Sequence, residues 1–198
     1  MPQSPAPAAA PAAPSTRPTA PLYRLVLGDA WERLPAPIRL LHDVATTLQA
    51  EGLASVRRGR GLLANAIAGV LGFPHAGDNI RLRVNFTAAA TGEVWRRDFA
   101  GRVFASRQYA GRYKNEAVII ERFGPLAFAI AFVVGRERMA LAIRRWTLWG
   151  VALPLAWAPF GDCYEFVDRD RFGFNVEITL PLIGLIVAYR GYLQPCVG

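Results

Sequence analysis

Three glutamates are the residues best suited by type and spacing to acid–base chemistry. Glu121, Glu165 and Glu177 each lie among apolar neighbours, in segments that alternate as β-strands do. A carboxylate that faces an enclosed space must be paired or neutralised, because burying a lone charge is costly. Paired with arginines, such carboxylates would orient a polar head group or transfer protons; a solvated face with weak cross-strand ion pairs is the alternative. The candidate partners are Arg122, Arg144, Arg145 and Arg190.

The histidines and cysteines predict less. His42 lies beside Asp43 at the polar end of an apolar helical stripe, and as a base it would need a partner brought in by the fold. A structural or surface role is favoured, and His75 is expected in an exposed loop. Cys163 and Cys196 form neither a CxxC pair nor a Cys/His cluster, so no metal site is predicted. Whether the two thiols pair is left open.

Motifs of nucleotide binding and nucleophilic catalysis are missing from the sequence. The glycines at 59, 61 and 69 have the wrong spacing for a phosphate-binding loop, and no serine lies in a G-x-S-x-G elbow. We therefore expect no cofactor, and the sequence leans away from an enzyme.

The net charge of +8 comes almost wholly from arginine, since Lys114 is the only lysine. A basic protein can contact anionic membranes or nucleic acid, but these charges are scattered. Segment 95–113 interleaves arginines with aromatics, as single-strand binding platforms do, although ordinary strand alternation explains it equally well. We expect no nucleic-acid partner, while peripheral membrane contact stays open.

Segment 146–160, WTLWGVALPLAWAPF, is very apolar, yet Gly150, Pro154 and Pro159 break it too often for a continuous strand. An apolar loop must be covered by its own domain, a partner or a membrane surface. It is therefore the leading candidate for an interaction site. The candidate ligand-binding residues are Trp146, Trp149, Trp157, Phe160, Phe128, Phe132, Arg145, Glu121 and Glu165.

The elements that must position these residues begin with helices. Amphipathic helices are predicted over 22–33, from Pro37 to before Gly52, and over 59–74, with a short strand over 53–58. From about residue 80 the apolar period changes to two, and turn signals separate about nine strands, which indicates antiparallel pairing of neighbours. The predicted class is α+β, with N-terminal helices packed on a large, strongly curled antiparallel sheet that forms a half-barrel or barrel.

Strand 126–134 is apolar on both faces, and alanines occupy one of them. Either a helix packs closely on the alanine face or that face lines a cavity, and helix packing is favoured.

The chain is expected to hold one folded domain, over 21–198. Residues 1–20 are rich in proline and alanine and lack the regions of a secretory signal, so they predict a disordered tail. The longest apolar runs (125–134, 146–160 and 178–189) are shorter than the roughly 18–20 residues that cross a bilayer. We therefore expect a cytoplasmic protein without a transmembrane span.

As an ordered set, several segments resemble the bacterial family called domain of unknown function (DUF) 4166. The resemblance spans 21–195 and implies little function, because such domains occur alone or attached to a dehydrogenase-like domain or a membrane protein, with no established active site to transfer. The matching segments are LYRLVLGDAWERLPAPIRLLHD (22–43), RRGRGLLANAIAGVLGFPHAGDNIRLRVNF (57–86), ERFGPLAFAIAF (121–132), RRWTLWGVALPLAWAP (144–159) and RFGFNVEITLPLIGLIVAYRGYLQP (171–195).

The leading hypothesis is a non-catalytic module that binds a hydrophobic small molecule, a lipid or a partner protein through an apolar sheet interior and loop 146–160. The alternative is an enzyme or enzyme-accessory domain that uses Glu121, Glu165 or Glu177 with arginine partners, working with a dehydrogenase-like partner protein.

Overall fold

Antiparallel strands dominate the structure, a computed structural model that describes residues 20–196. Ten strands close into a barrel, in which each strand pairs with its neighbour in sequence and the last pairs with the first. The remaining strand, β8, pairs only with β7. The strands are β1 (Thr47–Arg58), β2 (Gly77–Ala89), β3 (Gly92–Phe99), β4 (Arg102–Tyr113), β5 (Glu116–Phe123), β6 (Leu126–Val134), β7 (Arg138–Leu148), β8 (Val151–Ala152), β9 (Tyr164–Asp168), β10 (Arg171–Leu180) and β11 (Gly184–Pro195).

Two pairings close the barrel. β6 pairs with β7, which continues to β9, and β11 pairs with β1 over nine residues. The predicted curled antiparallel sheet is confirmed, but the half-barrel is not, because these pairings leave no open edge between the first strand and the last. Closure satisfies the backbone groups that an open edge would expose.

A helical plug fills one end of the barrel. It consists of α1 (Leu22–Leu27), a 3₁₀ helix (Gly28–Arg33) and α2 (Ala36–His42). Pro35 caps α2 and Pro37 lies in its first turn, where the missing N–H costs no helical hydrogen bond. α2 is shorter than predicted, because the apolar residues after it belong to β1, which begins at Thr47.

The plug and the barrel share one core. Tyr23, Trp31 and Ile38 from the plug are buried in the same cluster as Phe86 and Phe174 from the strands. At this end of the barrel, helices of the protein itself fill the apolar interior that was predicted to bind a ligand.

The third helix, α3 (Leu62–Val70), is inserted between β1 and β2, so the helices are not a purely N-terminal layer. Gly72, with a φ of 72°, ends it, and the Phe73 N–H donates to the Ala68 carbonyl at 2.9 Å. The helix is shorter than the predicted 59–74. It packs against β11 at the barrel end opposite the plug.

No helix covers the alanine face of β6, contrary to our prediction. Ala129 and Ala131 are buried there with Val118, packed against Tyr113 and Ile120. These neighbours come from β4 and β5, so strand side chains fill the space predicted for a helix.

Candidate functional site

Polar side chains gather inside the barrel next to the plug. β3, β4, β5 and β9 each place them on the face that also carries the apolar core, while α2 contributes the last one from the plug. All except Arg97, which is partly buried, are nine-tenths or more buried. The group, called here the polar core cluster, comprises His42, Glu93, Arg97, Ser106, Gln108, Glu121 and Glu165.

His42 is fully buried and bonds to Glu165. Its Nε2 lies 2.6 Å from Glu165 Oε2. The Tyr23 ring stacks on the imidazole with centroids 3.7 Å apart, and the Phe172 ring meets it edge-on at 5.9 Å. The histidine is thus oriented on two sides by aromatic contact and on a third by a carboxylate.

Glu121 is the centre of a second group. Its Oε1 accepts from Ser106 Oγ at 2.7 Å, from Gln108 Nε2 at 3.0 Å and from Arg97 Nη2 at 3.3 Å. Arg97 also donates to Ser106 Oγ at 3.0 Å. The Arg97 guanidinium lies 4.9 Å from the centre of the Trp95 ring, so both hydrogen bonds and an aromatic face hold it in place.

Glu93 links the cluster to the surface. Its Oε2 accepts from Trp95 Nε1 at 2.9 Å and its Oε1 from the Leu22 N–H at 3.3 Å. Burial raises the pKa of the Glu93 carboxyl, and these hydrogen bonds only partly offset that rise. The residue also lines a groove of about 360 Å³ between the plug and β2–β4, together with Leu25, Val44 and Tyr109.

Tyr23, stacked on His42, is surrounded by charged members of the cluster. Burial raises the pKa of its hydroxyl well above 10.0, and the charges of Glu165, Glu121 and Glu93 raise it further. Within residues 20–196, His42 Nδ1 and Gln108 Oε1 are buried without a hydrogen-bond partner. The cluster can therefore take up further hydrogen bonds, and its His–Glu pair is an arrangement capable of moving a proton.

The described residues show no group of three metal-ligating His, Cys, Asp or Glu side chains. Cys163 is half-buried, Cys196 is exposed, and neither forms a disulfide. Burial raises the pKa of the Cys163 thiol, so this thiol is a poor nucleophile.

Large apolar side chains are exposed at the opposite end of the barrel. They come from the segment between β7 and β9 and from the β10–β11 turn. The two sources are adjacent, because Phe160 forms a β-bridge with Thr179 near the end of β10. This surface, called here the apolar rim, comprises Trp149, Val151, Leu155, Trp157, Phe160 and Leu182.

Two rim residues occupy backbone conformations that favour glycine. Trp149, 77% exposed, has a φ of 48° in the two-residue turn between β7 and β8. Leu182 has a φ of 65° at the tip of the β10–β11 turn. Asn or Gly would relieve the strain at either turn, so these bulky side chains are presented to solvent at a local conformational cost.

The structure brings some of the predicted site residues together and separates others. Glu121 and Glu165 both enter the polar core cluster, whereas Glu177 lies on the opposite face of its strand from Phe174, outside the cluster. Trp149, Trp157 and Phe160 are exposed in the rim. Arg145 is exposed on β7.

Other predicted residues support the rim from beneath. Phe128 and Trp146 are buried with Ala158 under the loop, and Phe132 packs beside them. Trp146 Nε1 donates to the Pro154 carbonyl at 3.0 Å, which holds the loop to β7.

The partners predicted for the carboxylates were wrong. Glu121 pairs with Arg97, and Glu165 pairs with His42, instead of the arginines at 122, 144, 145 and 190. Arg144 binds Glu116 on the outer surface. Pairing depends on strand register and on where the plug lies, which local sequence does not specify.

Glu93 and Arg97 were missed as site residues, although a signal for them exists. Glu93 and Arg97 alternate with Trp95 and Phe99 at odd positions of β3, so all four side chains lie on the same face of the strand. Because the two aromatics face the core, the two charged residues had to face it as well. His42 is fully buried, so the alternative that placed it on the surface is wrong. His75 is exposed, as predicted.

Residues 34–193 match the model of the family described as Domain of unknown function (DUF4166). The chain belongs to this family. The match spans the whole barrel except the last two residues of β11, together with α2, and begins after α1. Comparison of this DUF4166 chain with curated proteins found no match, and comparison with solved structures found none either. Over residues 20–196, none of its helices is long and apolar enough to cross a bilayer.

Proposed function

We propose that this DUF4166 chain is a non-catalytic module that binds a hydrophobic partner through its apolar rim. The observation that carries the proposal is the exposure of three aromatic and three aliphatic side chains on adjacent loops at one barrel end. A contiguous exposed apolar surface of this kind is typical of interaction sites.

The rim is not needed to complete the core. Trp146, Phe128 and Ala158 already form a buried cluster beneath it, and the Trp146–Pro154 hydrogen bond fixes the loop without help from the exposed tryptophans. Trp149 in addition holds a left-handed backbone conformation that a smaller residue would adopt more easily. Contact with a partner gives these residues a role that folding does not.

Retention on phenyl-agarose tests this proposal. A Trp149→Ser, Trp157→Ser variant should elute much earlier than the wild type. Leu25→Ser, Leu40→Ser is the matched control, because these side chains are similarly exposed at the plugged end, at 58% and 56%. Equal loss of retention in the two variants would show that exposed apolar area in general, rather than the rim, binds the resin.

A second candidate is an enzyme or enzyme-accessory activity in the polar core cluster. It is favoured by the burial of Glu121 and Glu165 on the core face of the barrel, with Arg97 and His42 as their partners. A substrate would have to reach these groups past the plug. Diethyl pyrocarbonate labelling tests access: His42 should be modified in the native protein if the plug opens, with exposed His75 as the internal control. Labelling of His75 alone would remove the enzyme candidate.

A further inference from the structure

α3 extends the apolar surface beyond the rim. Its Ala64 and Ala68 are buried, whereas Leu62, Leu63 and Val70 are exposed, Leu62 by 91%. An amphipathic helix ordinarily turns its leucines inward. Here Ala64, Ala68 and partly buried Ile67 face the core, while the leucines face solvent.

The helix and the rim lie at the same end of the barrel. α3 contacts β11, the strand that follows the Leu182 turn, and the Gly59 N–H donates to the Ile186 carbonyl at 3.3 Å. On the other side of that turn, Phe160 bridges Thr179. One end of the barrel therefore presents α3, the β10–β11 turn and the rim loop in succession.

Two arginines converge beside α3. Arg58 Nη1 donates to the carbonyls of Phe73 and Pro74 at 3.1 and 2.9 Å, and Arg102 Nε reaches the same Phe73 carbonyl at 3.5 Å. Burial, and then the charge of Arg102, lower the pKa of Arg58. The two guanidinium groups thus act on each other.

No carboxylate neutralises this pair within the described chain. Arg58 and Arg102 take part in none of the ion pairs formed by residues 20–196. Asp78 and Asp98 lie on the adjoining strands but outside ion-pair distance of either arginine. Exposed Arg60 adds a third positive charge at the start of α3. This local excess of positive charge attracts anions.

We propose that this end of the barrel docks on an anionic lipid bilayer, with the apolar rim and the exposed leucines of α3 in the interface and with exposed Arg60 and half-buried Arg102 on lipid phosphates. Arg58, whose Nη1 is held by the Phe73 and Pro74 carbonyls and whose Nε is buried, adds its positive charge behind them. Tryptophan is enriched at membrane interfaces, and guanidinium groups bind phosphate through paired hydrogen bonds. The net charge of +8 favours approach to an anionic surface. The inference rests on the proposed function and names its partner.

Co-sedimentation with lipid vesicles tests the inference. Vesicles containing phosphatidylglycerol should bind the protein at least about tenfold more tightly than pure phosphatidylcholine vesicles, and salt at roughly 0.5 M should remove most of the difference. Arg60→Gln, Arg102→Gln should lose most of the preference for phosphatidylglycerol. Arg112→Gln, Arg136→Gln is the control, since both arginines are exposed on the plugged side.

Leu62→Ser, Val70→Ser provides an independent variant that leaves every arginine in place, and it should weaken binding to both kinds of vesicle. Equal binding of the wild type to both vesicles, or equal losses in the two arginine variants, would overturn the inference. The proposed function would survive that result if the rim variant still lost more phenyl-agarose retention than the Leu25→Ser, Leu40→Ser control. It would fail if the rim variant were retained as strongly as the wild type, or lost no more retention than that control.

Discussion

The two ends of the barrel use large side chains in opposite ways. At the plugged end, Tyr23 and Trp31 are buried, and the buried Glu165 carboxyl bonds to His42. At the rim end, Trp149 and Trp157 stay in water although a buried cluster lies directly beneath them. Folding stability accounts for the first arrangement and not for the second. The comparison therefore separates residues kept for the fold from residues available for binding.

The largest expected effect lies at the plugged end. Glu165→Ala would leave His42, whose Nδ1 already lacks a partner, without any side-chain hydrogen bond. An unsatisfied buried group costs roughly 1–3 kcal/mol, and the cavity left by the shortened side chain adds to that cost. Urea unfolding should register a loss of that order. Glu177→Ala is the matched control, because this glutamate lies on the other face of the sheet, and it should change stability by less than about 1 kcal/mol. Similar losses of unfolding free energy in the two variants would mean that the His42–Glu165 pair stabilises the fold no more than Glu177 does.

A smaller loss is expected from the second group of the cluster. Ser106 donates to Glu121 and accepts from Arg97, so Ser106→Ala leaves buried Glu121 and partly buried Arg97 each short of a hydrogen bond. The expected cost is about 1–3 kcal/mol of unfolding free energy. Ser55→Ala, an exposed serine on β1, should be close to neutral. A neutral Ser106→Ala would show that Arg97 and Glu121 satisfy each other without it.

Glu93 predicts a pH dependence at the junction between plug and barrel. Burial holds its pKa above the ordinary value of 4.5, so the native protein keeps a proton that the unfolded chain has released. Its contribution to stability therefore grows as the pH falls through the native pKa towards 4.5, and is lost as the pH rises through it. The unfolding free energy of the wild type minus that of Glu93→Gln should increase on acidification across this window. A flat difference would contradict the raised pKa.

The sequence predicted the barrel wall well because its signal is local. Alternation along 80–86 and 171–180 is a property of each strand, and it predicted both segments as strands. It did not separate Glu121 and Glu165, which are buried, from Glu177, which lies outside the cluster. Helix spacing misled at Ala45 and Leu48, where apolar residues at helical intervals belong to the approach to β1 and to the strand itself.

Closure and pairing could not be predicted, because both depend on contacts between distant segments. The His42–Glu165 bond joins residues 123 positions apart. This bond forms only if β9 has the correct register and the plug lies at the correct depth in the barrel. The rim loop was recognisable from its composition, but the contribution of Leu182 and α3 to the same surface follows only from the closed barrel.

Trp149→Asn tests the central claim most directly, since it changes one rim residue to a side chain that tolerates its φ of 48°. We predict that phenyl-agarose retention falls, while the unfolding free energy stays unchanged or rises by up to about 1 kcal/mol. A loss of more than about 1 kcal/mol with retention intact would contradict the account, because it would make Trp149 part of the fold rather than of a binding surface.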